Sequence, residues 1–229
     1  MAKHGKKYAG IVSTLEAGKQ YTLAEATEIL VKTSPTKFDA SAEVHINLGV
    51  DPKFADQLVR GTVSLPNGTG KDVRIIAFVD DDKVKEAMDA GAMDAGKDTL
   101  IEKVSKGFTD FDMAVATPDV MKDLGKVAKV LGPKGLMPSP KAGTVTPDIA
   151  KAISEMKKGR IEFKVDKQGI VHAAFGKVSF GAEKLGENLK VFVKAIQEAK
   201  PSGAKGTYLN GIHLTTSMGP SLKVDIKSL

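Results

Sequence analysis

Val73-Arg74-Ile75-Ile76-Ala77-Phe78-Val79 is a nearly continuous apolar run, and a strand of that kind needs cover on both faces. Elsewhere the strand-like segments read differently. Val44, Ile46 and Leu48 alternate with His45 and Asn47, and Ile161, Phe163 and Val165 alternate with polar neighbours, as in strands that bury one face and wet the other. One chain therefore contains two kinds of sheet. The covered kind demands helices on both sides, while the half-buried kind needs helices on one side only.

The covered kind occupies the middle of the chain. After Val79 the sequence predicts a short helix near 83–90, another near 98–106 carrying Leu100, Ile101 and Val104, and a strand at Met113-Ala114-Val115-Ala116. A helix through Val120, Leu124, Val127 and Leu131 follows, and then a helix capped at Thr146-Pro147 that carries Ile149, Ile153 and Met156 to Gly159. This alternation predicts a small α/β layer with a largely parallel sheet, Rossmann-like in class.

Before it, Thr22-Leu23-Ala24-Glu25 is a capping box opening a helix that Ser34-Pro35 ends. The strand at Val44 to Leu48 and an extended segment Arg60 to Leu65 follow, and Pro66-Asn67-Gly68-Thr69-Gly70 breaks the pattern. After it, Ile161 to Val165 and Ile170 to Phe175 flank the turn sequence Asp166-Lys167-Gln168-Gly169 and predict a hairpin. A long helix lined by Leu185, Leu189, Phe192, Val193 and Ile196 comes next, then strands at Tyr208 to Ser217 and Leu222 to Ile226. The expected architecture is an α+β split domain, an antiparallel sheet with helices on one face, built from residues 1–66 plus 160–229. The α/β domain of residues 67–159 is inserted into it.

Charge follows the same division. Residues 67–159 hold 15 Lys/Arg and 15 Asp/Glu, so the whole net charge of +6 lies on the outer limbs. A polyanion is then expected to meet the split domain rather than the insertion. With no cysteine among 229 residues, disulfides, thiolate metal sites and cysteine nucleophiles are excluded, which fits a reducing compartment. No apolar run approaches the roughly 18 residues of a membrane span. The basic stretch Met1 to Lys7 lacks the apolar core of a secretory signal. A cytoplasmic protein without membrane contact is expected.

Three stretches invite catalytic readings. The loop Leu131 to Gly143 packs three glycines, three prolines and two lysines, a shaped loop that resembles a phosphate cradle. No Gly-Lys pair in the chain is followed by the Ser/Thr of a phosphate-binding loop, and Gly68-Thr69-Gly70 enters a strand instead of leaving one. Asp80-Asp81-Asp82 ends the apolar strand, where α/β enzymes place Mg²⁺ or phosphoacceptor carboxylates. A Mg²⁺-dependent phosphotransferase or phosphatase is the alternative this allows, against the simpler reading of carboxylates capping the next helix. His4, His45, His172 and His213 show no metal-ligand spacing. Neither a catalytic residue, a metal nor a cofactor is expected.

Binding residues are more evident on the limbs. Phe38 follows Lys37 in a loop, Lys164, Lys167 and Lys177 lie on or beside the hairpin, and Thr215-Thr216-Ser217 leads into Met218-Gly219-Pro220. Hydroxyls, amides and lysines in that combination suit the 2′-OH and phosphate groups of RNA. Only 5% of residues are aromatic, which favours recognition of a folded RNA's shape over stacking on a splayed strand.

Lys37-Phe38-Asp39, Asp56-Gln57 with Arg60 to Pro66, Ala116 to Asp119, Gly132 to Val145, Gly159 to Phe163, and Gly203 to Thr207 through Met218 to Ser221 together resemble the family of the bacterial large-subunit ribosomal protein numbered one. The resemblance covers essentially the whole chain. It implies a discontinuous domain gripping large-subunit ribosomal RNA at the base of a mobile stalk, and help in releasing deacylated exit-site tRNA. It also implies repression of the protein's own operon messenger RNA through a mimic of the ribosomal site, by a protein that is a monomer when free. By the same resemblance Phe38 and Thr215, Thr216, Ser217, Met218 and Gly219 are expected to touch RNA, joined by Lys37, Glu43, Lys164, Lys167, His172 and Lys177. Where the family often has threonine before the methionine, this chain has Ser217, which keeps the hydroxyl and loses a methyl contact. The Gly132 to Gly143 loop is implied to be a signature rather than a catalytic motif, so changes at Lys134 or Lys141 are expected to spare ribosomal RNA binding.

Overall fold

The computed structural model describes residues 5–16, 18–140, 143–204 and 206–226. His4, Lys141 and Lys205, named above singly or within a motif, lie outside them.

In chain order, helix α1 (Lys6–Val12) precedes strand β1 (Gln20–Tyr21), helix α2 (Leu23–Lys32), strand β2 (Ser41–Leu48) and strand β3 (Arg60–Ser64). Strand β4 (Ile75–Phe78), helix α3 (Asp81–Asp89), strand β5 (Asp94–Gly96), helix α4 (Asp98–Ser105) and strand β6 (Met113–Ala116) follow. Helices α5 (Met121–Leu124), α6 (Ala128–Leu131) and α7 (Ile149–Lys157) lead to strand β7 (Arg160–Lys164). The chain continues through strand β8 (Ile170–Lys177), helix α8 (Gly181–Glu198), strand β9 (Leu209–Thr216) and strand β10 (Leu222–Val224). None of the described helices is long and apolar enough to cross a membrane.

The chain divides into two compact units, Met1–Gly70 with Ile161–Leu229, and Lys71–Arg160. Asn67 and Gly68, placed in the insertion by the sequence pattern, go with the first unit because α8 holds them. The Asn188 carboxamide, fully buried, accepts from Asn67 N at 3.1 Å and donates to Gly68 O at 2.9 Å and Phe175 O at 2.8 Å.

In the first unit the strands run β1-β10-β9-β2-β8, antiparallel except for the parallel pair β1 and β10. Val44, Ile46, Leu48, Val171, Phe175, Ile212 and Leu214 point from one face into a core closed by α2 and α8. The capping box that starts α2 is present, with Thr22 N donating to Glu25 Oε2 at 3.0 Å and Glu25 N to Thr22 Oγ1 at 3.4 Å. Leu23, Ala26 and Leu30 of α2 and Leu185, Leu189, Phe192, Val193 and Ile196 of α8 are the buried stripes, each large side chain stabilising the unit by about 2 kcal/mol. Strand β1 was not anticipated, since two residues are too few to show a period.

The predicted hairpin is only partly formed. Its arms stay together at one bridge, Val165 with Val171, and then diverge: β8 joins β2, whereas β7 pairs with β3 in a separate two-stranded sheet. Phe163 explains the departure, because it packs edge-on against Phe192 with ring centroids 5.7 Å apart.

In the second unit β4 lies between β5 and β6, all parallel, with a further parallel bridge from Ala116 to Val145. Ile75 to Val79 are each at most 1% exposed. Ile76 and Phe78 face the apolar residues of α4, α5 and α6, while Ile75, Ala77 and Val79 face those of α3 and α7. The single helix expected through Val120 to Leu131 is two, interrupted between Leu124 and Ala128, although all four anticipated apolar positions are buried. Gly125 lies in the interruption, where glycine's backbone entropy weakens a helix. Helix α7 is capped not by Thr146 but by Asp148, whose carboxylate accepts from Lys151 N at 3.2 Å.

Candidate nucleic-acid interface

Antiparallel pairing gathers the start of β2 and the ends of β8 and β9 at one end of the first unit's sheet. Ser41 is opposite Lys177, and Ala42 is opposite Thr216. The loop before β2 is tied down there. Asp39 accepts from Ser179 N at 3.0 Å and Ser179 Oγ at 2.7 Å, which holds its carboxyl below the usual range. Thr36 Oγ1 donates to Phe38 O at 3.0 Å, and Lys177 Nζ donates to Ser41 Oγ at 2.9 Å. So anchored, the loop leaves the Phe38 side chain 63% exposed, which makes it a presented ring and not a core plug.

The segment after β9 is shaped as tightly. Ser217 N donates to Ser41 O at 3.1 Å and Ser41 N to Ser217 Oγ at 3.2 Å, extending the β2–β9 ladder by one pair. Gly219 N donates to Thr216 O at 2.9 Å, and the Thr215 hydroxyl lies 3.1 Å from Gly219 O and 3.0 Å from Thr216 O. A Cβ on Gly219 would fall 2.2 Å from Thr216 Oγ1, so any side chain there would force the buried Thr216 hydroxyl to move. Met218 is left 63% exposed at the tip. The three consecutive hydroxyls are not equally free to meet a partner. Thr216 is 2% exposed with its hydroxyl beneath Gly219, and the Thr215 proton is already engaged by backbone carbonyls. Both shape the turn that presents Ser217, Met218 and the Gly219 backbone.

The anticipated residues therefore fall into two groups. Lys37, Phe38, Glu43, Lys177 and Thr215 to Gly219 lie at or near the end just described. Lys164 ends β7 and Lys167 sits in the Asp166 to Gly169 turn, which enters β8 where Ile170 opposes Asn47. From Ser41 to Asn47 is six residues of strand, about 20 Å. His172 lies between the groups.

The solvent face between them carries residues whose relation the sequence did not disclose. Glu43 has Ala174 on one side and Thr215 on the other, and in the next row His45 has His172 on β8 and His213 on β9, with Lys223 of β10 beyond. His45 Nδ1 and His172 Nδ1 are 2.8 Å apart, and His172 Nε2 is 3.4 Å from Asp166 Oδ2. Burial, then the neighbouring His172, lowers the His45 pKa from its usual 6.5, with Glu43 opposing. Burial and Lys223 lower that of His213. These histidines had seemed unrelated, and only strand register aligns them. The alternation of His45 with Val44 and Ile46 was the one signal available.

In the second unit, Asp80 does not cap α3 with its side chain. Lys97 Nζ lies 3.2 Å from Asp80 Oδ1 and 3.3 Å from Asp123 Oδ2, within a cleft of about 210 Å³ lined by Asp80, Asp81, Lys97, Asp98 and Thr99. The pairing raises the Lys97 pKa, so this ammonium stays charged and occupies the carboxylate that a phosphotransferase would need. Among the described residues no group of three or more His, Asp or Glu side chains is placed to hold a metal ion. The Gly132 to Gly143 loop is closed upon itself, with Leu136 N donating to Leu131 O at 3.0 Å, Ser139 N to Thr144 Oγ1 at 2.7 Å, and Lys134 Nζ to Thr109 Oγ1 at 2.6 Å. These three donors, all among the described residues, serve the fold.

Comparison with known proteins shows the family. The profile of the ribosomal protein L1p/L10e family matches residues 30–220. The large ribosomal subunit protein uL1 of Protochlamydia amoebophila is 56% identical over 227 residues, covering 99% of this chain and 96% of that protein. Its counterparts in Solidesulfovibrio magneticus and Chlamydia pneumoniae are 53% and 49% identical over 229 residues, covering 100% of this chain and 97% and 99% of theirs. The chain belongs to the ribosomal protein L1p/L10e family. It is accordingly a ribosomal protein rather than an enzyme, and the phosphotransferase alternative is set aside.

Proposed function

We propose that this protein is a structural constituent of the large ribosomal subunit and binds ribosomal RNA in the stalk region through the first unit, acting as a discontinuous RNA-binding domain. The observation that carries the reading is the convergence at one sheet end of two anchored loops that present Phe38 and Met218 to solvent, each 63% exposed, beside Lys177. Large apolar side chains held out by hydrogen-bonded loops are costly in a free protein and useful against a partner. A rigid, mostly non-aromatic surface suits a folded RNA, and the limbs' excess positive charge suits its phosphates.

The same surface serves two RNAs in this reading. Ribosomal sites fill first, and surplus protein then represses its own operon messenger, which offers a mimic of the ribosomal site. The inserted unit, Rossmann-like in class, is the arm that attends release of deacylated tRNA from the exit site. The protein acts in the cytoplasm, on the ribosome, and is a monomer when free.

A filter-binding titration with a stalk fragment of large-subunit ribosomal RNA across a salt series tests the grip. Ser217→Ala with Met218→Ala is expected to weaken binding about tenfold or more at every salt concentration while leaving the salt slope in place, because neither change removes a phosphate contact. Affinity equal to the parent throughout would place the RNA elsewhere.

A further inference from the structure

His172, His45, His213 and Lys223 stand side by side on four neighbouring strands, one row along the solvent face from Glu43 and Thr215. Cross-strand packing accounts for part of the row, since His45 and His172 meet edge-on with ring centroids 5.0 Å apart, but not for His213 and Lys223 beside them. The unit's core is on the opposite face, and like charges directly opposite each other across strands destabilise a sheet. The arrangement is tolerable while the rings are neutral and becomes unfavourable once they are protonated, unless an anion covers them.

Hydrogen bonding decides which nitrogen of His45 an added proton takes. Asp166 is pinned by Gln168 N and Ile170 N, each at 2.8 Å, with one carboxylate oxygen 3.4 Å from His172 Nε2. That carboxylate keeps the His172 proton on Nε2, so His172 Nδ1 is the acceptor of the 2.8 Å bond and His45 Nδ1 the donor. His45 Nε2 is left with an open lone pair. A proton taken from solvent there turns His45 into an imidazolium, converts its bond to His172 into a charge-assisted one, and leaves a new N–H to give. His213, on the other side of His45, gains the same capacity beside the fixed charge of Lys223. The charged groups that act on the row are Glu43 on β2, Asp166 beside His172, and Lys223 on β10. None of these gains a charge near neutral pH, so the added positive charge of the strip rests with the histidines.

We propose that this row is a proton-gated extension of the RNA surface, a strip that accepts phosphodiester groups once His45 and His213 are protonated. The inference rests on the reading that this face of the first unit binds RNA. In the free protein burial holds both imidazoles neutral near pH 7, and bound phosphates draw protons onto them. Affinity therefore rises as pH falls, in the same proportion as RNA raises the two pKa values.

The test measures the dissociation constant of the stalk RNA fragment for the full chain at pH 7.5 and pH 5.5, with the His45→Gln, His213→Gln double variant in parallel. Glutamine keeps a donor and an acceptor but cannot gain a proton. The parent is expected to bind about tenfold more tightly at pH 5.5, and the double variant to change by less than about twofold, as linkage to one or more protons requires. A second measurement needs no variant: the ring-proton signal of His45 should titrate about one pH unit higher in saturating RNA than in the free protein. A parent with equal affinity at both pH values, a double variant that keeps the parent's slope, or a His45 titration unmoved by RNA would each overturn the gating while leaving the RNA reading intact. No binding by the parent at either pH would defeat the RNA reading and this inference with it.

Discussion

Two sheets in one chain are built by opposite rules. In the second unit β4 is covered on both faces, and Ile75 to Val79 have at most 1% exposure. Every side chain of that strand is committed to a core, and the adjacent carboxylate Asp80 is paired with Lys97. In the first unit the sheet commits one face to α2 and α8, and the other carries Ser41, Glu43, His45 and Asn47 of β2 in open rows with their neighbours. A sheet covered twice makes a stable body with no face left to read a ligand. A sheet covered once keeps a flat, registered surface, and the loops at its end supply the exposed apolar groups that a partner can bury.

The comparison is sharpest where the same charge is placed on each sheet. Ile76→Asp is expected to cost about 4 kcal/mol or more, unfolding the second unit, because an unpaired carboxylate would be buried between two helical layers. Asn47→Asp on the open face of β2 should cost less than about 0.5 kcal/mol. Urea denaturation of the two variants gives both numbers, and equal losses would break the contrast.

Next in size is Asn188→Ala. It leaves Asn67 N, Gly68 O and Phe175 O without their buried partner and should destabilise the first unit by about 2–3 kcal/mol, visible as faster amide exchange in α8 and β8. A smaller loss than at Asn188 is expected at Asp112 in the second unit. Lys71, with the Arg74 N–H and side chain, draws its pKa from 3.8 down to about 2. A depressed carboxylate stabilises the fold above its unfolded pKa, and the contribution disappears as pH falls through the folded value. Asp112→Asn should thus cost about 1 kcal/mol at pH 7, after allowance for the exposed Lys71, with the gap to the parent closing as pH falls from 4 to 2.

Much of this architecture was legible because hydrophobic period is a local property. The uninterrupted run at Val73 to Val79 and the alternation at Val44 to Leu48 announced the two kinds of sheet, and the Thr22 to Glu25 capping box started its helix as expected. What escaped notice depended on contacts distant in sequence. Phe163 draws β7 away from β8 towards α8. Strand β1 exists only because β10 is there to receive it.

The candidate site divides in the same way. Phe38 could be singled out from the sequence as a loop residue, and Met218 through the family resemblance. That Thr216 is buried under Gly219, that Lys164 and Lys167 lie at the far end of the sheet, and that three histidines share one row follow from strand register, which no single segment encodes.

The central claim, that the first unit's sheet end grips RNA and the second unit's glycine-rich loop does not, is tested by one binding experiment. Phe38→Ala with Met218→Ala, and separately Lys134→Ala, are titrated against the stalk fragment of large-subunit ribosomal RNA. The double change is expected to lower affinity about a hundredfold, as loss of two contact anchors should, and Lys134→Ala by less than about threefold, at most one phosphate contact. Equal losses in the two proteins would contradict the account.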